Sequence, residues 1–241
     1  MGNTIYLQDV SKVLRKKTVL TNVNIEVKEG EIFGLIGPSG CGKTSIIKIM
    51  VGMDKSNSGK AFVLGKKMPN LEILQQIGYM AQMDALYLEL TGLENLKFYA
   101  SLFKLNKSEQ VTRITYASRL VNLTDELHKR VSTYSGGMKR RLSLAIALIQ
   151  NPQILILDEP TVGIDPELRK TIWTELIRLK TEEQKTIIVT THVMDEAEKC
   201  DRLAMIRDGK IITSGSPTEL KTFYRVNQLE DVFIQAGGTN S

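Results

Sequence analysis

The stretch Gly37-Pro38-Ser39-Gly40-Cys41-Gly42-Lys43-Thr44 narrows the possible folds more than any other part of the chain. It follows the apolar run 32–36 and precedes Ser45-Ile46-Ile47-Lys48-Ile49-Met50, which has a helical pattern. Strand, glycine-rich turn and helix in that order are what a phosphate-binding P-loop requires. Glycines let successive backbone N–H groups turn inward on an anion, and the helix N-terminus adds partial positive charge. Lys43 is placed to reach the β- and γ-phosphates, and the Thr44 hydroxyl to hold Mg²⁺. Residues 37–45, from Gly37 through Ser45, are therefore the expected nucleotide cradle.

The rest of the chain fits an α/β design around that cradle. Residues 5–10, 19–27 and 32–36 are short and β-branched, so the N-terminal third reads as strands, the first of them an antiparallel β region. A turn at 56–59 leads to strands at 60–64 and 77–80. From about 91 to 148 the periodicity is helical, in 93–102, 107–122 and 138–149. Strands resume at 154–157, 186–190 and 203–206, alternating with helices such as 166–180. Alternation of this kind implies a mostly parallel sheet with crossover helices. The expectation is a single domain over 1–241, a P-loop NTPase core with a helical subdomain at about 91–148 inserted in it.

Composition adds limits rather than direction. Across 241 residues, 42% hydrophobic and 24% charged content is ordinary for a globular chain, and a net charge of +5 is mild. No basic run interleaved with aromatics speaks for nucleic acid, and none is expected as a partner. Two cysteines, Cys41 and Cys200, give no disulfide framework and fit a reducing compartment. With no apolar run of membrane-spanning length, the chain is expected inside the cell, reaching a membrane only through a partner. A thiol beside Lys43 at a helix N-terminus is expected to carry some thiolate character at Cys41.

Ile154-Leu155-Ile156-Leu157-Asp158-Glu159 is a continuous apolar run ending in two carboxylates, as in a strand buried on both faces. Its C-terminal end is the edge at which parallel sheets bind ligands. Paired with the P-loop, this puts Asp158 on Mg²⁺ and makes Glu159 the general base that polarises the attacking water.

Just before that run stands Tyr134-Ser135-Gly136-Gly137-Met138-Lys139-Arg140-Arg141. P-loop, this segment and the carboxylate strand, in this order, resemble the ATPase subunits of ABC transporters, whose signature motif the segment matches. Ser135 suits a helix N-cap, and Gly136 and Gly137 permit close backbone approach to a phosphate. The resemblance covers nearly the whole chain and implies further roles. Gln82 matches the Q-loop glutamine, linking the γ-phosphate or Mg²⁺ to the membrane partner. His192 matches the switch histidine at the γ-phosphate. Asp165 matches the D-loop, although Asp before Pro166 is also a strong helix start, and both roles can coexist. Leu14 lies where the family usually stacks an aromatic on adenine, so weak preference for ATP over GTP is expected. Met138 stands where many members carry glutamine.

By that resemblance, two subunits form a head-to-tail homodimer or heterodimer with ATP sandwiched between them. Each ATP would meet Lys43, Thr44, Gln82, Asp158, Glu159 and His192 of one chain, and Ser135 and Gly137 of the other. The implied function is the energy subunit bound to an integral membrane transporter subunit, with an exporter-like cast. Residues 84–91 after Gln82 carry Leu86, Tyr87, Leu88 and Leu90, which either receive a helix of the membrane subunit or fill the helical subdomain's own core. The rival is a soluble ABC-type ATPase of translation or DNA repair. Such relatives carry two ATPase halves or a long coiled coil, whereas this chain has one P-loop and no sustained heptads.

Overall fold

The computed structural model describes residues 3–82 and 85–238. It divides into two compact units, one made of the chain up to Ile73 and from Thr186 onward, the other of Leu74–Lys185.

In the first unit, β1 (Asn3–Leu14) and β2 (Lys17–Lys28) form a long antiparallel hairpin closed by the Leu14–Lys17 pair. On β2, residues 20–28 alternate between buried and more exposed positions, apart from one irregularity near Asn22, as expected of a sheet with one face on a core. The strand β3 (Ile32–Ile36), by contrast, is buried along its whole length. It leads through the glycine-rich loop to α1 (Lys43–Met50). Next come β4 (Ser58–Val63), antiparallel to β1, then β5 (Lys66–Lys67), and α2 (Leu71–Leu74) at the boundary.

The second unit begins with β6 (Ile77–Met80). Three helices follow: α3 (Gly92–Leu102), α4 (Lys107–Leu120) and α5 (Gly136–Leu148). Their starts are written in the sequence. Thr91 with Glu94, and Asn106 with Glu109, make reciprocal capping boxes on α3 and α4. The fully buried β7 (Ile154–Asp158) runs parallel to β6, from the Ile77–Ile154 pair to Met80–Leu157. The unit closes with α6 (Pro166–Glu183), whose Trp173, Ile172, Leu176 and Leu179 are buried.

Back in the first unit, β8 (Thr186–Thr191) and β9 (Arg202–Arg207) flank β3, both parallel to it, with α7 (Met194–Ala197) between them in sequence. β10 (Lys210–Gly215) returns antiparallel to β9, and α8 (Pro217–Tyr224) and α9 (Leu229–Ala236) end the described chain. Leu220, Leu229 and Val232 of these helices pack with Ile36, Leu203 and Met205 into one buried cluster. The α/β class, the mostly parallel core strands and the antiparallel N-terminal strands are as the sequence implied. The elements after 206 lie beyond the last strand read from the sequence, although α8 and α9 are both amphipathic. They are fixed by tertiary burial and by the Ser216 capping box with Glu219.

Candidate functional site

In the first unit, the loop 37–42 joins the buried end of β3 to the first turn of α1. Gly42 has φ 115°, a left-handed conformation, and a Cβ there would lie 2.7 Å from Leu20 Cδ2. Both facts select glycine. Gly37 is closed in the same way, since an added Cβ would press on the Ile206 carbonyl oxygen and come within 2.8 Å of Cys41 Sγ. The loop is braced from outside by Gly209, whose N–H donates to the Cys41 carbonyl (3.0 Å) and whose carbonyl accepts from Thr21 N–H (2.9 Å).

α1 has no side-chain N-cap and no acidic residue in its first turn, and Lys43 opens it. A cation at a helix N-terminus opposes the helix dipole, so this end is electrostatically arranged for an anion. The buried Lys43 ammonium donates to the carbonyls of Gly37 (2.7 Å) and Pro38 (3.0 Å), which places it over the loop. Pro38, Ser39 and Gly40 are exposed, while Thr44 and Ser45 are half-buried in the first turn.

Cys41 corrects one expectation. Its side chain is buried, and burial pushes the thiol above its ordinary pKa, outweighing the opposing effect of Lys43. The shift runs against the thiolate character expected from the neighbouring lysine, because burial penalises the charged sulfur more than Lys43 favours it. Proximity to Lys43 was legible in the sequence; burial was not.

His192 is exposed on the turn between β8 and α7. That turn is pinned by the buried Thr191, whose hydroxyl donates to Glu196 Oε2 (2.7 Å) and accepts from Val193 N–H (3.0 Å). Leu14 is half exposed at the tip of the β1–β2 hairpin.

The second unit brings together the other expected residues. Asp158, the last residue of β7, is almost fully buried, and the half-buried Glu159 follows with φ 54°. A left-handed glutamate is strained backbone, of the kind that persists where surroundings impose it. Ala81 and the exposed Gln82 follow the end of neighbouring β6. Ser135 caps α5, its hydroxyl accepting from Met138 N–H (3.2 Å). Gly136 has open space where a side chain would be, and Gly137 faces the Gly163 carbonyl, 3.2 Å from where its Cβ would lie. The close approach that Gly137 permits within this chain is thus to the 163–165 loop. There Asp165 caps α6 through Leu168 N–H (2.9 Å), with Pro166 at the first helical position.

Of the segment 84–91, Asp84 lies outside the described residues. Tyr87 and Leu88 are about half exposed, whereas Leu86 and Leu90 are less so. Tyr87 packs edge-on against Phe98 at 4.8 Å, and the buried Asn95 amide clasps both its N–H (2.9 Å) and its carbonyl (3.0 Å). Sequence reasoning missed this residue. An asparagine inside a helix at a position with no cap to form was the available signal.

A model of the ABC transporter family matches residues 20–162. The chain belongs to that family. As a member it is an ATP-binding ATPase subunit. It is 43% identical over 219 residues to a Nod factor export ATP-binding protein of Neorhizobium galegae, a match covering 90% of this chain and 63% of that one. With the linearmycin resistance ATP-binding protein of Bacillus subtilis it shares 38% identity over 218 residues, 88% of this chain and 69% of the other. The chain thus spans about two thirds of the length of these curated relatives. A solved ATP-binding cassette, dimeric in a post-hydrolysis state with ADP and Pi, superposes with a TM-score of 0.82 at 28% identity. It covers 88% of this chain and 98% of its own. Among the described residues of this ABC ATPase, no helix is long and apolar enough to cross a membrane.

Proposed function

We propose that this ABC ATPase is a single ATPase domain acting as the energy subunit of an exporter, working as a head-to-tail dimer on the cytoplasmic face of a membrane through its transmembrane partner. The relatives' names, one of export and one of resistance, support the direction of transport. The dimeric ADP-and-Pi cassette supports the assembly. The observation that carries the reading is the anion cradle of the first unit: a glycine-shaped loop, an α1 N-terminus without acid, and Lys43 across it.

The residue roles join the chemistry of the P-loop and the carboxylate strand to what the family resemblance implies for Gln82, His192 and the signature segment. The backbone of 37–45 and Lys43 hold the phosphates, and Leu14 offers the base an apolar contact. Glu159 takes a proton from the attacking water, with His192 and Gln82 contacting the γ-phosphate side. Ser135, Gly136 and Gly137 serve the partner subunit's nucleotide. Thr44, Asp158 and Gln82 supply oxygen donors only, which suits the hard cation Mg²⁺. No group of three or more His, Cys, Asp or Glu able to hold a metal occurs among the described residues. Phosphate and water oxygens would then complete the shell, as is usual for Mg²⁺, and the ion would supply charge neutralisation on the phosphates.

Glu159→Gln tests the assignment. Turnover should fall by about 10²–10⁴-fold, the range for loss of a general base, while ATP affinity stays at the wild-type value. Hydrolysis near the wild-type rate would remove Glu159 from that role.

A further inference from the structure

Arg140 sits in the second turn of α5, five residues after the Ser135 cap, and is buried. Its guanidinium reaches out of the helix to two separate loops of the same unit. Nη1 donates to the carbonyls of Ala81 (3.0 Å) and Gln82 (2.9 Å). Nη2 donates to the carbonyls of Asp158 and Glu159 (2.6 Å to the latter), and Nε also reaches Glu159 (3.2 Å). The loops follow adjacent parallel strands, β6 and β7, at their C-terminal ends.

Burying a guanidinium is a costly way to fill space. Bonding the main chain of two loops at once is something no apolar side chain of that volume does, and a planar five-donor fork is the group whose geometry allows it. Nor are the bonded peptides arbitrary. One loop carries Gln82, the other carries Asp158 and the left-handed Glu159. Holding the Glu159 carbonyl fixes the peptide that follows a strained residue, and with it the direction in which the carboxylate leaves the chain.

We propose that Arg140 is a positioning residue for hydrolysis, setting Glu159 and Gln82 in register with each other and with the signature helix α5. It rests on the reading given under Proposed function, and adds to it a consequence for the dimer. In that reading Ser135 at the start of α5 serves the partner's nucleotide, whereas Glu159 serves its own. One side chain then ties the helix engaged at one nucleotide to the hydrolytic loops of the other. Loss of the fork should slow chemistry and uncouple the two nucleotides without weakening ATP capture.

The test compares wild type, Arg140→Lys and Arg140→Gln in the full chain. It records kcat and KM for Mg·ATP, the Hill coefficient, Mg·ATP affinity by calorimetry in the Glu159→Gln background, and the melting temperature. Both variants should fold and keep wild-type affinity. Their kcat should fall by about 10²-fold, as for a displaced catalytic group, and their Hill coefficient should drop toward one. The lysine variant should not recover the rate, because it keeps the charge but not the fork. Folded variants with wild-type kcat would overturn the proposal, and so would parallel loss of rate and affinity. Variants that do not fold would make Arg140 a stability element and overturn it too. A wild-type chain that turns over no ATP would instead sink the parent reading, and this one with it.

Discussion

The loop 37–42 and the pair of loops at 81–82 and 158–159 are shaped by different means. Along 37–42 the chain is set first by its own residues, left-handed Gly42 and Lys43 folded back on the carbonyls of Gly37 and Pro38, with Leu20, Ile206 and Gly209 closing on it from elsewhere in the first unit. At Ala81, Gln82, Asp158 and Glu159 the backbone is held by one guanidinium lying 18 to 59 residues away. Local constraints make a rigid anion cradle that is ready whenever the chain folds. Constraints carried by a remote side chain make loops whose geometry depends on the helix that carries it. The first arrangement suits binding, and the second suits a step that must respond to something elsewhere.

Mutations should separate the two. Gly42→Ala strikes the phosphate loop, where a side chain meets both a left-handed backbone and Leu20. It should cost roughly 1–3 kcal/mol of stability, read from urea unfolding, and weaken ATP binding as well. For stability, not for ATP binding, Gly136→Ala is its control, since nothing stands within 4 Å of the added methyl. Equal effects from the two substitutions would show that the loop is not locally determined.

Ser135→Ala, in the remotely held region, removes within this chain the cap on Met138 N–H. It should cost about 1 kcal/mol of stability. A loss of turnover beyond what that destabilisation explains would point to contact with nucleotide. The smallest effect is expected at Cys41. Burial raises its thiol pKa, so alkylation should be slower than for a free cysteine and should accelerate only at higher pH. Rapid modification near neutral pH, followed by mass spectrometry, would contradict the buried placement.

The sequence made the cradle legible because its determinants are adjacent: glycine spacing, a lysine and a helical pattern. The same holds for β7, whose apolar run and terminal carboxylates read directly as a buried strand end, and for the caps at Ser135 and Asp165. Burial of Cys41 was not legible, because desolvation comes from residues distant in sequence. Arg140 was read only as part of a signature segment, since nothing adjacent to it announces four carbonyl partners on two other loops. Asn95, by contrast, did carry a signal, an asparagine inside a helix with no cap to form. The helices after 206 also depend on a core assembled from elsewhere, with Leu229 and Val232 packed against Leu203 and Met205.

In the proposed cycle two copies of this chain close on ATP and reopen after hydrolysis. Light scattering on purified Glu159→Gln, with Mg·ATP and then with Mg·ADP, measures it directly. The expected result is a mass of two chains with ATP and of one chain with ADP. A single-chain mass in saturating ATP, with nucleotide shown to be bound, would contradict it.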